Sequence, residues 1–168
     1  IARDYIVLCH GWVPPCRCEV TAHVSWRENS ATHAGAQGKP SRTQIKVLAH
    51  ISSGEGGALS LVAIRIMTGR RHQIRSHASH IGHPTVRDGK YTLPATFRCD
   101  EELCARNFLH RYRLAFQDGV GTDCEVIRPL PMDLIVTLRR LRGRQWESEV
   151  TLRLWLGGSR PQDWMSYE

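Results

Sequence analysis

Apolar positions along this chain fall mostly in short runs or at every second residue, the patterns of buried and half-buried strands. The clearest run is Ala58 to Met67 (ALSLVAIRIM), which follows the alternating stretch Ser41 to Ile51 and the turn-forming Ser52 to Gly57 (SSGEGG). Strand, glycine-rich turn and strand predict an antiparallel hairpin, with strands near 43–50 and 58–67. Asp4 to Cys9 (DYIVLC) predicts a buried strand, ended by Gly11 and the pair Pro14-Pro15. Three more strands are expected near 19–25, 108–116 and 124–128. In the middle one (FLHRYRLAF), alternation puts Arg111 and Arg113 together on the outer face. Helical spacing occurs twice. Ile74, Ala78 and Ile81 predict a helix near 71–81 that buries Ile74 and Ala78, with Gly82 at its C-cap and Pro84 just beyond. A basic amphipathic helix is predicted near 132–142. Asn29 to Pro40 reads as an exposed loop, Thr92 to Cys104 as irregular, and Val150 to Leu156 as a further strand or part of an extension.

With 168 residues, of which 41% are apolar, the chain suits one domain with a real core and not a disordered segment. Its 23 basic residues against 16 acidic ones give a formal net charge of +7. Only Lys39, Lys46 and Lys90 are lysines, so the excess is carried by arginine, whose planar fork suits phosphates and base edges. No apolar stretch reaches membrane-spanning length and no secretory or transit segment is visible. The 6 cysteines form no C-x-x-C pair, and Cys16-x-Cys18 with Cys99-x4-Cys104 is poor zinc-ligand spacing. Reduced thiols in an intracellular compartment are expected.

The candidate chemistry concentrates between Met67 and Tyr91 (MTGRRHQIRSHASHIGHPTVRDGKY). Arg70, Arg71 and Arg75 place three guanidiniums around one helix start, with His72 and Gln73 among them. Such forks, with the positive end of the helix, suit carboxylates or phosphates. On composition alone a solvated basic helix face explains them equally well.

Three linked segments resemble the signature of the RluA-type RNA pseudouridine synthases. They are Gly69-Arg70-Arg71-His72-Gln73-Ile74-Arg75, Gly82-His83-Pro84 and Arg87-Asp88-Gly89-Lys90-Tyr91, with Arg71 where the family has Thr and Arg87 where it has Gly. Arg3, Tyr5 and Gly11 fall on the family's Lys-x-Tyr-x-Ala-x-Val-x-Gly segment. Gly38-Lys39-Pro40, Leu109-His110 and Pro129 to Leu134 resemble later pieces of it, so the likeness covers roughly Ala2 to Arg142. It implies an α+β fold built on a mixed, mainly antiparallel sheet with flanking helices. It also implies isomerisation of uridine to pseudouridine in rRNA or tRNA with no cofactor. The implied partner is RNA, with the ribosome or its precursor as a further candidate. Tyr5, against the target uracil, and Arg75, paired with the catalytic Asp, become the expected catalytic residues; Arg70, Arg71, His72, Gln73 and Lys90 become the expected RNA contacts. For Tyr5 the residues alone favour a core aromatic.

His72, His77, His80 and His83 are dense enough to suggest a metal site. No carboxylate or Cys lies at suitable spacing, and the resemblance accounts for His72 and His83 as structural, so no metal is expected. The implied reaction needs a base flipped from its stack and a carboxylate poised at the ribose. The family takes that carboxylate from a His-Arg-Leu-Asp segment, which this sequence lacks. The expectation is therefore a fragment of a longer enzyme, inactive by itself, with a partial catalytic domain over 1–144, a C-terminal extension over 145–168, and an Arg75 that faces a gap beside Tyr5, paired to solvent, to an improvised acid or to nothing. The rival expectation is a non-catalytic RNA-binding or ribosome-associated protein that keeps the fold.

Overall fold

The computed structural model describes residues 1–27, 30–54, 56–158 and 164–167. Its sheet runs in the order β2 (Glu19–Val20), β5 (Thr43–Ser52), β6 (Ala58–Ile66), β1 (Ala2–His10), β7 (Leu109–Gln117), β8 (Asp123–Ile127), with β9 (Arg142–Gly143) beside the end of β5. Every pairing among the described strands is antiparallel. The predicted hairpin is β5–β6, and the run DYIVLC lies at the centre of the sheet as β1.

Both faces of the central strands are covered, which is why Ile6 to Cys9 of β1 and Leu61 to Ile64 of β6 are apolar without a break. Val7 and Cys9 of β1, with Val62, Ile64 and Ile66 of β6, pack under Ile74 and Ala78 of helix α1 (Gln73–His80). Ile6, Leu8, Leu59 and Leu61 pack on the other side against Leu134 and Leu138 of α3 (Met132–Arg139) and Leu152 and Trp155 of α4 (Trp146–Leu156). Helix α2 (Pro94–Leu103) flanks the end of the sheet.

Several expectations change. The stretch 19–25 divides: β2 joins the main sheet, whereas β3 (His23–Ser25) leaves it and pairs with β4 (His33–Gly35). The loop expected from Asn29 to Pro40 therefore contains a strand; Asn29 itself lies outside the described residues, as does Glu55 in the β5–β6 turn. Residues 92–104 hold a helix in place of irregular chain. Pro94 sits in the first turn of α2, where a proline starts a helix and does not break it. Residues 150–156 are helical, not extended. Their apolar–polar alternation imitates a strand, but Ser148, Leu152 and Trp155 fall on one buried helical face.

A bulge separates Arg111 from Arg113. Tyr5 is opposite Arg111 but Asp4 is opposite Arg113, so β7 carries one extra residue, Tyr112, at this point. Tyr112 and Arg113 both turn to the α3–α4 side, Tyr112 into the core and Arg113 onto the buried Asp4, 3.0 Å from Nη1 to Oδ2. Arg65 grips the same carboxylate from β6 at 2.6 and 2.7 Å. Arg111 stays exposed on the Tyr5 side.

Candidate functional site

The turn from β6 into α1 is organised by Gln73. Its Oε1 accepts from Thr68 Oγ1 at 2.9 Å and Arg70 N–H at 3.1 Å; its Nε2 donates to Arg42 O at 3.0 Å and Thr43 Oγ1 at 3.2 Å. All four positions of the amide are used and the residue is 2% exposed. Expected as an RNA contact, Gln73 instead has nothing left to offer a ligand. It fixes the loop from which Arg70 and Arg71 project.

His72 precedes the helix with φ 48, a left-handed residue at the N-cap. Its Nδ1 lies 3.2 Å from the Tyr91 hydroxyl, and the two rings meet edge to face with centroids 6.0 Å apart. The same hydroxyl accepts the Thr32 N–H at 2.9 Å, so Tyr91 ties α1 to the β3–β4 hairpin. The His72 pKa is lowered, first by desolvation and then by the charges of Arg75, Lys90 and Arg71. Arg75 shares the Tyr91 side chain with His72, Arg71 precedes His72 in the chain, and Lys90 adjoins Tyr91 with its N–H on Asp88. Arg71 and Lys90 are exposed, whereas Arg70 is half-buried and its buried Nε has no partner.

Arg75 does not face a gap. Its Nε and Nη2 bind Asp88 at 2.7 and 2.5 Å in a bidentate fork, and its guanidinium lies 5.1 Å from the Tyr91 ring centroid. Asp88 is 1% exposed and also accepts Thr85 Oγ1 and the Lys90 N–H, each at 3.1 Å. The fork and the buried carboxylate hold the Arg75 proton above the usual arginine range. The acid that the sequence left unassigned to Arg75 thus lies 13 residues on, inside the third linked segment. Both belong to the Met67–Tyr91 stretch, but spacing gave no sign that they pair.

Helix α1 ends in a Schellman arrangement. Gly82 (φ 82) donates to Ser79 O at 3.0 Å and His83 to Ala78 O at 2.9 Å. This aims His83 at the His10 carbonyl, 2.9 Å from Nδ1. His77, buried inside the helix face, reaches Ala22 O at 2.9 Å and fixes the place where β2 leaves for β3. Among the described residues no three His, Cys, Asp or Glu side chains cluster as metal ligands.

Tyr5 is half-buried and packs on the cluster containing Ile74 and Ala78. It therefore shares a sheet face with α1, and Arg3 comes with it: a Cβ added to Gly69 would meet the Arg3 guanidinium at 3.3 Å. An open cleft of about 620 Å³ lies on the other side of α1, between Thr32 and His33 of the hairpin, Ser79 and His80 of the helix, and Lys90 and Tyr91. Of the expected site residues only Lys90 lines it. The structure thus gathers Arg71, His72, Arg75 and Lys90, sets Tyr5 on the same face, and withdraws Gln73 into the frame. All 6 cysteines are free, and no described helix is long and apolar enough to cross a membrane.

A family model described as RNA pseudouridylate synthase matches residues 1–80. An uncharacterised RNA pseudouridine synthase of Chloroflexus aurantiacus is 36% identical over 108 residues, covering 64% of this chain and 31% of that protein. The ribosomal large subunit pseudouridine synthase C of Yersinia pestis is 30% identical over 149 residues, covering 83% and 44%. The solved structure of human RNA pseudouridylate synthase domain containing 1 aligns with a TM-score of 0.70 at 26% identity, over 96% of this chain and 68% of that one. The chain spans less than half the length of the curated relatives it matches.

Proposed function

This chain belongs to the RNA pseudouridine synthase family, and from that premise we propose that it serves the isomerisation of uridine to pseudouridine in a structured RNA, rRNA or tRNA. In this reading Arg70, Arg71 and Lys90 hold phosphates, Tyr5 lies against the extruded uracil and Arg75 stands at the reacting centre. The observation that carries it is the group built on Tyr91 and Asp88, with His72 on the Tyr91 hydroxyl, Arg75 at the Tyr91 ring and on Asp88, and exposed Arg71 and Lys90 adjoining, on the sheet face that also holds Tyr5. The reaction breaks the C1′–N1 bond, forms C1′–C5, releases the C5 proton to solvent and leaves N1 to take one up. An extruded base costs a few kcal/mol, and phosphate contacts offset that cost.

One observation favours a second reading, RNA binding without isomerisation: Arg75 already spends its Nε–Nη2 edge on Asp88. Tritium release from RNA labelled at uridine C5, measured on the full-length protein beside fluorescence anisotropy on the same RNA, separates the two. Isomerisation predicts release that Arg75→Ala abolishes while affinity stays within about threefold. Binding without release supports the second reading. For either, Arg70→Gln and Arg71→Gln each lower the salt slope of log affinity by about 0.7–0.9, one phosphate contact. Affinity that is the same at low and high salt rejects both.

A further inference from the structure

Arg139, Arg140, Arg142 and Arg144 lie within six residues and are all exposed, far from the site just described. They run from the C-terminus of α3 across β9, which pairs with the end of β5 at Ile51 and Ser52. That is the β5–β6 turn end of the sheet. The Arg70–Arg71 turn is at the opposite end, where β6 finishes. The 9-residue β1 runs between these ends, which puts them about 26 Å apart at roughly 3.3 Å per residue.

The four are not used up by internal acids: among the described residues none takes part in a side-chain ion pair. Arg140 Nη1 donates to the Glu102 carbonyl at 2.5 Å, and Arg142 Nη1 to its neighbour's carbonyl at 3.3 Å. Glu149, the nearby acid, turns its carboxylate to the Gly143 N–H at 2.8 Å and to Arg153 at 3.5 Å. Arg144 is held by its backbone, N–H to His50 O at 2.8 Å, and its guanidinium lies 3.7 Å from the centroid of the Trp12 ring. Trp12 is anchored through Nε1 to Ile51 O at 3.2 Å and is still 40% exposed. Exposed guanidiniums outside ion pairs, one of them held over an anchored and partly exposed indole, are equipment for gripping phosphates.

We propose that the Arg139–Arg144 segment with Trp12 is a second RNA-contacting surface, which grips the substrate at a distance from the site; this rests on the RNA reading given above. A contact about 26 Å from the first is reached only by an RNA long enough to span it. The experiment measures binding of the 168-residue chain to two stem-loops, of 4 and of 20 base pairs. At about 3 Å per pair, near the 3.4 Å of DNA, only the longer one covers the distance.

Replacing all four arginines by glutamine should lower the salt slope on the long RNA by about 3. The wild type then loses about 60-fold more affinity than the variant between 50 and 200 mM salt. The short RNA should bind within about twofold of wild type. Single Arg139→Gln and Arg144→Gln changes should each lower the slope by about 0.7–0.9, which keeps the test open if the fourfold variant folds poorly. The fourfold Arg→Lys variant should keep the full slope. A long-RNA slope unchanged by the glutamines overturns the proposal, and so does equal weakening of both RNAs. If the patch variants bind like wild type while Arg70→Gln and Arg71→Gln weaken both RNAs, only this inference falls. If the wild-type chain binds neither RNA, the reading of the first site falls with it.

Discussion

Replacing Asp88 by Asn tests whether the Arg75–Asp88 fork holds the site together. Asp88 accepts four hydrogen bonds: two from Arg75, one from Thr85 and one from the Lys90 backbone. Asparagine keeps the shape and one carbonyl, but it turns an amide N–H₂ towards a guanidinium that has only donors. Hydrogen bonds to charged groups contribute about 1.5–3 kcal/mol each, and removing one member of a buried ion pair costs about 3–5 kcal/mol. The Arg75 side chain keeps 22% of its surface exposed, so water relieves part of the loss and the lower end applies. About 3 kcal/mol is expected, or a fall in melting temperature of roughly 6–12 °C for a chain of this size. Urea unfolding followed by circular dichroism measures it. A cycle with Arg75→Met isolates the pair, because the double variant removes both charges and should recover about 2 kcal/mol relative to additivity. A loss below about 1 kcal/mol, or strictly additive single changes, would mean that the fork is incidental to the fold.

Three further outcomes follow from the same geometry. Arg87 has φ 62, so Arg87→Gly should be more stable than Arg87→Ala by about 1 kcal/mol in urea unfolding, since both lose the side chain but only Ala keeps the left-handed strain. Gly82→Ala should cost about 1–2 kcal/mol by the same measurement; nothing lies within 4 Å of the added Cβ, so φ alone is tested. Burial lowers the His77 pKa, so below pH 6.5 the unfolded chain takes a proton that the folded one refuses. Stability should therefore fall as pH drops from about 6.5 towards 5, and His77→Gln should flatten that slope in unfolding curves taken across this range.

The central sheet was legible because its strands are buried on both faces and read as apolar runs, as in DYIVLC and ALSLVAIRIM. Helix α1 was legible because Ile74 and Ala78 repeat at one turn and Gly82 closes it. Helix α2 was not, since Asp100 is its only buried residue and no apolar stripe marks it. Helix α4 was hidden by an alternation that the core then overruled through Leu152 and Trp155. Within the site, residue types announced a basic cluster but not its wiring. Gln73 carries the polar groups of an RNA contact and Arg75 those expected at the reacting centre, yet each is spent on a partner that only the tertiary fold brings near.

The same distinction decides what the positive charge can do. Arg87, one of two departures from the family pattern, puts its guanidinium 4.2 Å from the Phe97 centroid and 2.8 Å from Glu101, so it pins α2 and adds nothing to an RNA surface. Arg71, the other departure, stays exposed beside His72 and does add to it. Arg65 and Arg113 are spent on Asp4, Arg75 on Asp88 and Arg106 on Asp133. A net charge of +7 is therefore not spread evenly. Among the described residues, exposed cations outside ion pairs include Arg71 and Lys90 by the α1 turn and Arg139, Arg140, Arg142 and Arg144 by the β5–β6 turn, with Arg17, Arg98, Arg111 and Arg128 elsewhere on the surface. Counterion release counts only phosphates that such groups reach, so the salt slope for a long RNA should report two separable sets of contacts. The acids paired with Arg65, Arg75, Arg106 and Arg113 are structural, and changing them should move stability before it moves affinity.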